Sequence, residues 1–289
     1  MNQAKVSIIT RTRDRELFLA RAMASVLGQV DPPAWEWIVV NDAGDPATVE
    51  AVLREAREQF PEQLQVLHLP ESRGMEHASN RGIEQATGEF LIIHDDDDSW
   101  EPDFLRRMTA WLEAPAHRQY AGVVCHSLLV EEVIEGDRIV INKQMPFNPW
   151  LQEVDPWMVL EENPYPPISF LFRRLAYDEA GPFDEELPVL GDWEFNVRLI
   201  LRHPLGLLPE MLARYHHRPR GSTGSTANSI TAGHDTHRHW ENVLRDRWRQ
   251  APPLEGLPCF GQLAAAAGNI RKIRVRLDQL LSLPIRPGP

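Results

Sequence analysis

"LQVLHLPESRGMEHASNRGIEQATGEFLIIHDDDDSW", residues 64–100, decides the fold class. It opens on a short apolar run, Leu64–Leu69, as expected of a strand buried on both faces. Met75, Ala78, Gly82, Ile83 and Ala86 then fall on one helical face, and Gly88 is placed to close that helix. "EFLIIHD" (89–95) reads as a second strand, so the stretch is one β-α-β unit ending in four consecutive aspartates. The same alternation extends upstream. "VSIIT" (6–10) and "WEWIVV" (35–40) read as strands, and residues 14–28 carry apolar groups at helical spacing. "DPATVEAVLREAREQF" (45–60) reads as a helix with Asp45 at its N-cap and Pro46 at its first position. This series implies an α/β fold with a mostly parallel sheet flanked by helices.

From about residue 116 the pattern changes. "GVVCHSLLVEE" (122–132) and "RIVINK" (138–143) read as antiparallel strands joined by a turn at "EGD". Residues 145–167 are rich in Pro and Trp and read as irregular around one short helix. "ISFLFRR" (168–174) is strand-like and "GDWEFNVRLILRH" (191–203) helical, while "HHRPRGSTGSTANS" (216–229) is a polar loop. "IRKIRVRLDQLLSL" (270–283) is amphipathic. The expected organisation is two halves of one domain, 1–115 and 116–220, then a flexible loop and helical extension over 221–289.

A net charge of −12 argues against nucleic acid as a partner, because phosphate backbones need concentrated Lys and Arg. Cys125 and Cys259 match no metal-ligand spacing and read as reduced thiols. There is no 18-residue apolar stretch, and "MNQAKVSIIT" lacks a signal-peptide pattern, so a cytoplasmic protein is expected.

In open parallel sheets, ligands collect at the carboxyl ends of the strands, where Asp95, Asp96, Asp97 and Asp98 fall. Crowded carboxylates favour a hard divalent cation, Mg²⁺ or Mn²⁺, shared with phosphate oxygens. The alternative is a solvated acidic turn in which Asp98 or Ser99 caps a helix starting near Glu101 and Pro102. Other polar residues follow the other strands: Thr12 and Arg15 the first, Asp42 the second, Arg73 the third.

Taken together these stretches resemble the family 2 glycosyltransferases, which have the Rossmann-like GT-A nucleotide-diphospho-sugar transferase fold. That family's N-terminal half reads as a strand, "PTYNR", a helix ending "SVLxQ", a strand ending Asp-Asp, then "NxGxxxARNxGIxxAxGxYIxFLDxDD". Here the corresponding stretches are "VSIITRTRDRELFLARAMASVLGQ", "WEWIVVNDAGD" and "ESRGMEHASNRGIEQATGEFLIIHDDDDSWEPDFL". "FRRLAYDEAGPFDEELPVLGDWEFNVRL" resembles the family's stretch around its Glu-Asp-Trp motif, so the likeness runs over about residues 5–220.

The resemblance implies an inverting, metal-dependent transfer of a sugar from a nucleoside-diphosphate sugar, UDP being the commonest carrier, to an acceptor hydroxyl. The acceptor would be a glycan or lipid-linked glycan of a surface polysaccharide or lipopolysaccharide. On that reading residues 1–115 bind the nucleotide-sugar and 116–220 the acceptor. Thr12, Arg15 and Asp42 would contact the nucleotide, with Arg73 in the loop after the third strand. Asp95 and Asp96 would face ribose or sugar, Asp97 would ligate Mn²⁺ or Mg²⁺, and Asp192 would be the catalytic base. His217, or its neighbour His216, would complete the metal shell.

Four positions depart from the pattern: Arg11 stands for proline, Ser72 for asparagine, Asn41 for the first aspartate, and Gly191 for the glutamate before the base. His234, His237 and His239 at i, i+3, i+5 do not share one helical face and read as surface or acceptor-side polarity rather than a zinc site. The basic side of 270–283 (Arg271, Lys272, Arg274, Arg276) is compatible with packing on the body, with a homo-oligomer, or with peripheral contact to the inner face of a membrane. Two other function classes remain open: a nucleotidyltransferase, though "TRTRDREL" has no glycine for a phosphate loop, and a non-catalytic sugar-nucleotide-binding protein of the same fold. The sequence does not name the sugar, the base or the acceptor.

Overall fold

A computed structural model of the chain describes residues 4–136, 138–218, 234–251 and 260–281. The first half alternates β1 (Val6–Thr12), α1 (Glu16–Leu27), β2 (Trp35–Asn41), α2 (Pro46–Val52), α3 (Arg54–Gln59), β3 (Leu64–His68), α4 (Met75–Gln85) and β4 (Phe90–Ile93). A two-residue strand, β5 (Ser99–Trp100), and α5 (Phe104–Glu113) follow. The second half holds β6 (Gly122–Glu135), β7 (Arg138–Pro146), α6 (Pro156–Glu161), β8 (Phe170–Arg173), α7 (Arg174–Ala180), α8 (Gly191–Ile200) and β9 (Leu205–His217). Two helices close the described chain, α9 (His234–Gln250) and α10 (Phe260–Leu281).

The strands form a single mixed sheet in the order β3-β2-β1-β4-β8-β6-β9-β5, with β7 paired to β6. The β3-β2-β1-β4 half is wholly parallel. β8 enters antiparallel to β4 and β6, and β6 then pairs β9 in the longest parallel ladder. Strand alternation sends Ile8 and Ile9 to opposite faces. Ile8 joins Trp37, Val39 and Ile92 under Leu19, Phe104 and Met108 of α1 and α5. Ile9 joins Leu91 and Ile93 under Ile83, Trp193 and Phe195, a cluster that Trp248 and Phe260 of the last two helices complete. The α/β class and the mostly parallel sheet are therefore as the periodicity implies.

Some local expectations differ. The helix starting at Asp45 is capped as expected, its carboxylate accepting from the Ala47 and Thr48 amides. It breaks at Leu53, however, and the break leaves Val49, Leu53 and Ala56 all in the core. Gly88 does not close α4, which ends at Gln85; its amide donates to the Ser7 hydroxyl at 2.8 Å, and a Cβ there would collide with the Ser7 nitrogen. Neither Asp98 nor Ser99 caps the next helix. Ser99 and Trp100 are drawn into pairing with β9, Asp98 accepts from the His216 amide at 2.8 Å, and α5 starts only at Phe104. The polar loop expected over 216–229 lies mostly outside the described residues, as does Cys259.

The last helix lies on α9 and α6 with its basic side partly consumed. Arg271 pairs with Glu162 and Glu241, each at 3.2 Å, and Arg274 with Glu161 at 3.2 Å and Glu162 at 2.6 Å. Ile270, Ile273 and Leu277 stay exposed. Among the described residues, no helix is long and apolar enough to cross a membrane.

Candidate active site

The carboxyl ends of β1, β2 and β4 meet at a cleft of about 860 Å³, whose lining includes Arg11, Thr12, Arg15, Asp42, Asp95, Asp96, Asp97, Asp192 and His217. Parallel register explains the convergence at one edge: Thr12 pairs Asn41, so the loops leaving β1 and β2 emerge side by side. The Asp42 amide donates to the Thr12 carbonyl at 2.9 Å. Asn41, at the position of the family's first aspartate, closes its own loop instead, its side chain exchanging hydrogen bonds with Gly44 at 2.8 and 2.9 Å. Asp42 accepts from the Ser72 hydroxyl at 2.6 Å.

Four adjacent carboxylates survive burial because arginines reach them. Arg11 bonds Asp95 through Nε at 2.9 Å and Nη2 at 2.7 Å. Arg15 bridges Asp96 at 2.8 Å and Asp97 at 2.7 Å. Arg218, from just beyond β9, donates to Asp97 and, at 2.8 Å, to Glu132 on β6. Arg21 joins Glu132 at 2.6 Å and the Asp97 carbonyl. Burial alone would push Asp97 up, but the guanidinium groups of Arg15 and Arg218 outweigh it and hold the carboxyl well below the usual carboxylate range. Asp96 is more deeply buried and less fully matched, and burial lifts it to about 7 despite Arg15. Sequence reasoning left Arg218 and Glu132 out, and no local signal marks them: they meet the cluster only through the β6–β9 ladder.

Across the same cleft sits Asp192, in the first turn of α8. Asn163 donates to its Oδ2 at 2.6 Å, and Asn196 steadies Asn163 at 3.1 Å. Burial raises the Asp192 carboxyl above its ordinary value, with the Trp193 amide, Arg11 and Asn163 only partly offsetting it. Glu76, from the first turn of α4, lines the cleft close by; burial lifts it to about 7, against the pull of Arg11.

Alternation along β9 separates the two histidines. His216 turns inward, its ring against Glu132 at 2.8 Å and the Ser99 hydroxyl at 2.9 Å. His217 lines the cleft, its Nε2 buried without a hydrogen-bond partner, and burial lowers its pKa. Asp96 Oδ2 is likewise buried without a partner. Carboxylates of Asp95 and Asp97 with an unpartnered imidazole nitrogen suit Mg²⁺ or Mn²⁺ in kind. Asp97 already shares its Oδ2 with Arg15 and Arg218, so a cation there competes with two guanidinium groups. Arg73 is not among the lining residues; its side chain is 56% exposed and leans toward Glu185 at 3.9 Å. Thr236 and His237 also line the cleft, and among the described residues no group of three His, Cys, Asp or Glu is placed to hold a metal ion, the aspartate run with His217 included.

A strand-end crevice lined by an acidic cluster together with Asp192 and Glu76, set on this mixed sheet, is the arrangement of a GT-A nucleotide-sugar transferase. Solved structures share the fold. One is Staphylococcus aureus TarS 1-349 in complex with UDP-GlcNAc, with a TM-score of 0.64 at 18% identity over 93% of this chain and 73% of that one. Another is the mannosyltransferase PcManGT from Pyrobaculum calidifontis in complex with GDP-Man and Mn²⁺, with a TM-score of 0.60 at 18% identity over 99% and 77%.

Residues 7–154, just over half of the chain, match the family model described as glycosyl transferase family 2, and the chain belongs to that family of enzymes. Among curated relatives, the glycosyltransferase YwdF of Bacillus subtilis is 28% identical over 196 residues, covering 67% of each chain. A PGL/p-HBAD biosynthesis glycosyltransferase of Mycobacterium bovis is 25% identical over 157 residues, covering 53% of this chain and 51% of that one. TuaG of Bacillus subtilis, named for teichuronic acid biosynthesis, is 30% identical over 107 residues, covering 37% and 41%. The chain thus spans about two thirds of the first relative's length and about half or less of the other two.

Proposed function

We propose that the protein is an inverting glycosyltransferase that moves a sugar from a UDP-sugar to a hydroxyl of a glycan or lipid-linked glycan bound for the cell surface. The observation that carries this reading is Asp192, half-buried, tethered to Asn163 at 2.6 Å, and lining one cleft with the aspartate cluster. Asp192 takes the proton of the acceptor hydroxyl. The freed oxygen attacks the anomeric carbon while the bond from that carbon to the diphosphate oxygen breaks on the opposite face, releasing nucleoside diphosphate. A carboxylate acts as base only when held within hydrogen-bond reach, and the asparagine tether supplies that restraint.

Thr12, Asp42 and the loops around them receive the nucleoside, Asp95 and Asp96 the ribose and sugar, and Arg15 offers its planar guanidinium to phosphate. Arg73, exposed and outside the cleft lining, would be a peripheral nucleotide contact. Asp97 and His217 would hold a divalent cation, Mn²⁺ or Mg²⁺, whose chemistry there is Lewis-acid stabilisation of charge on the leaving diphosphate. UDP is the first choice of carrier because the TarS structure holds UDP-GlcNAc, with GDP the second because PcManGT holds GDP-Man. The surface-glycan acceptor is supported by the relative named for teichuronic acid biosynthesis. Titration calorimetry with UDP and GDP, with and without Mn²⁺, tests the donor site. A protein that binds neither nucleotide under any of these conditions is not this enzyme.

A further inference from the structure

Two of the departures from the family pattern, Gly191 and Arg11, meet through Glu76, and Arg11 reaches a further one at Ser79. A Cβ built on Gly191, where the pattern has glutamate, would overlap the Cγ, Cδ and Oε1 of Glu76. The Glu76 Oε2 lies 3.4 Å from Arg11 Nη1, and Arg11 stands where the pattern has proline. The same Arg11 Nη1 donates at 2.9 Å to the hydroxyl of Ser79, the position of the arginine in "ARN". The carboxylate missing from α8 thus comes from α4, and the guanidinium missing from α4 comes from β1. Glu76 and Asp192 line the same cleft, and Glu76 is 3% exposed.

We propose that Glu76 is the acceptor-side carboxylate of this enzyme, occupying from α4 the place of the side chain absent at Gly191 and fixing the attacking hydroxyl at Asp192. This rests on the transferase reading. Two carboxylates beside one hydroxyl divide the work: Asp192 removes the proton, and Glu76 holds the oxygen's orientation through a second contact. Arg11, shared between Glu76 and Asp95, fixes that second carboxylate in place and couples the acceptor wall to the donor wall. Glycine at 191 follows from the arrangement, because no larger residue fits while Glu76 is in place.

The test measures donor hydrolysis, with water as acceptor, using whichever of UDP-glucose, UDP-galactose, UDP-GlcNAc, dTDP-glucose and GDP-mannose the wild-type chain hydrolyses fastest. Glu76→Gln, which preserves packing, and Glu76→Ala should each lower kcat about tenfold or more. The donor KM should stay within about twofold, the mark of an interaction made with the attacking group rather than the donor. Gly191→Glu alone should be slower still through the collision, and Glu76→Ala combined with Gly191→Glu should recover to within about threefold of wild type. A carboxylate that only supported the fold would not be replaced from another helix. Wild-type rates in both Glu76 variants, or a double variant no faster than Glu76→Ala alone, overturns the proposal while leaving the transferase reading standing. Hydrolysis of no donor, or Asp192→Asn as fast as wild type, overturns the transferase reading and this proposal with it.

Discussion

The two walls of the cleft differ in how many guanidinium groups meet their carboxylates. On the donor wall, Asp95, Asp96 and Asp97 are met by Arg11, Arg15 and Arg218, and the strongest consequence is an Asp97 held ionised far below its ordinary range. On the other wall, burial raises the Asp192 carboxyl, and the Trp193 amide, Arg11 and Asn163 only partly offset it. The lesson is that neighbouring carboxylates in one cleft differ in charge according to how many guanidinium groups reach each of them.

The largest expected effect breaks the acceptor wall alone: Asp192→Asn should lower turnover by about 10²–10⁴-fold. UDP affinity, measured by calorimetry, should be nearly unchanged, and a parallel loss of binding would erase the distinction between the walls. On the donor wall, Arg218→Met removes a guanidinium that is 1% exposed and leaves Glu132 and Asp97 short of a countercharge. Stability in a urea titration should fall by about 3–5 kcal/mol, the usual cost of stripping one partner from a buried pair. A change under about 1 kcal/mol would show that Arg21 and Arg15 suffice.

Chelation comes next. EDTA should weaken UDP binding about tenfold or more, and Asp97→Asn should make the affinity insensitive to Mn²⁺. Affinity indifferent to both would mean that the arginines alone neutralise the diphosphate. The smallest effect concerns Asn163. Asp192 is a base only when ionised, so turnover falls as pH drops through its raised pKa. Asn163 stabilises the ionised form, so Asn163→Ala should move that acidic limb to higher pH, with about a three- to tenfold loss near neutrality. A limb that stays put would remove the asparagine from the mechanism.

Much of this was legible beforehand, and the failures have physical causes. β1 to β4 and their helices follow from short apolar runs alternating with helical periodicity, which are local signals. β9 escaped because "LGLLPEMLARYHH" mixes Pro, Glu and Arg into a strand whose pairing comes from β6, far off in the chain. Asp98 and Ser99 suggested a helix cap for the same reason: the competing partner, the His216 backbone, is 118 residues away. Arg73 suggested a nucleotide contact because it precedes a helix; its side chain is exposed and lies 3.9 Å from Glu185.

What the sequence alone determined was the order of elements, the edge of the sheet where polar residues gather, and the acidic run at 95–98, while Asp192 stood out only through the resemblance to the family. These depend on neighbours in the chain and on the rule that parallel strands bring their carboxyl ends together. Only the tertiary structure decided which histidine faces the cleft, since the β6–β9 ladder shifts register twice between Cys125 and Ser127 and strand parity cannot be counted through it. Tertiary structure likewise placed Glu76 over Gly191 and brought Arg218 to Asp97. Each is a contact between distant segments, where packing and the cost of an uncompensated buried charge select the partner and local sequence carries no record of it.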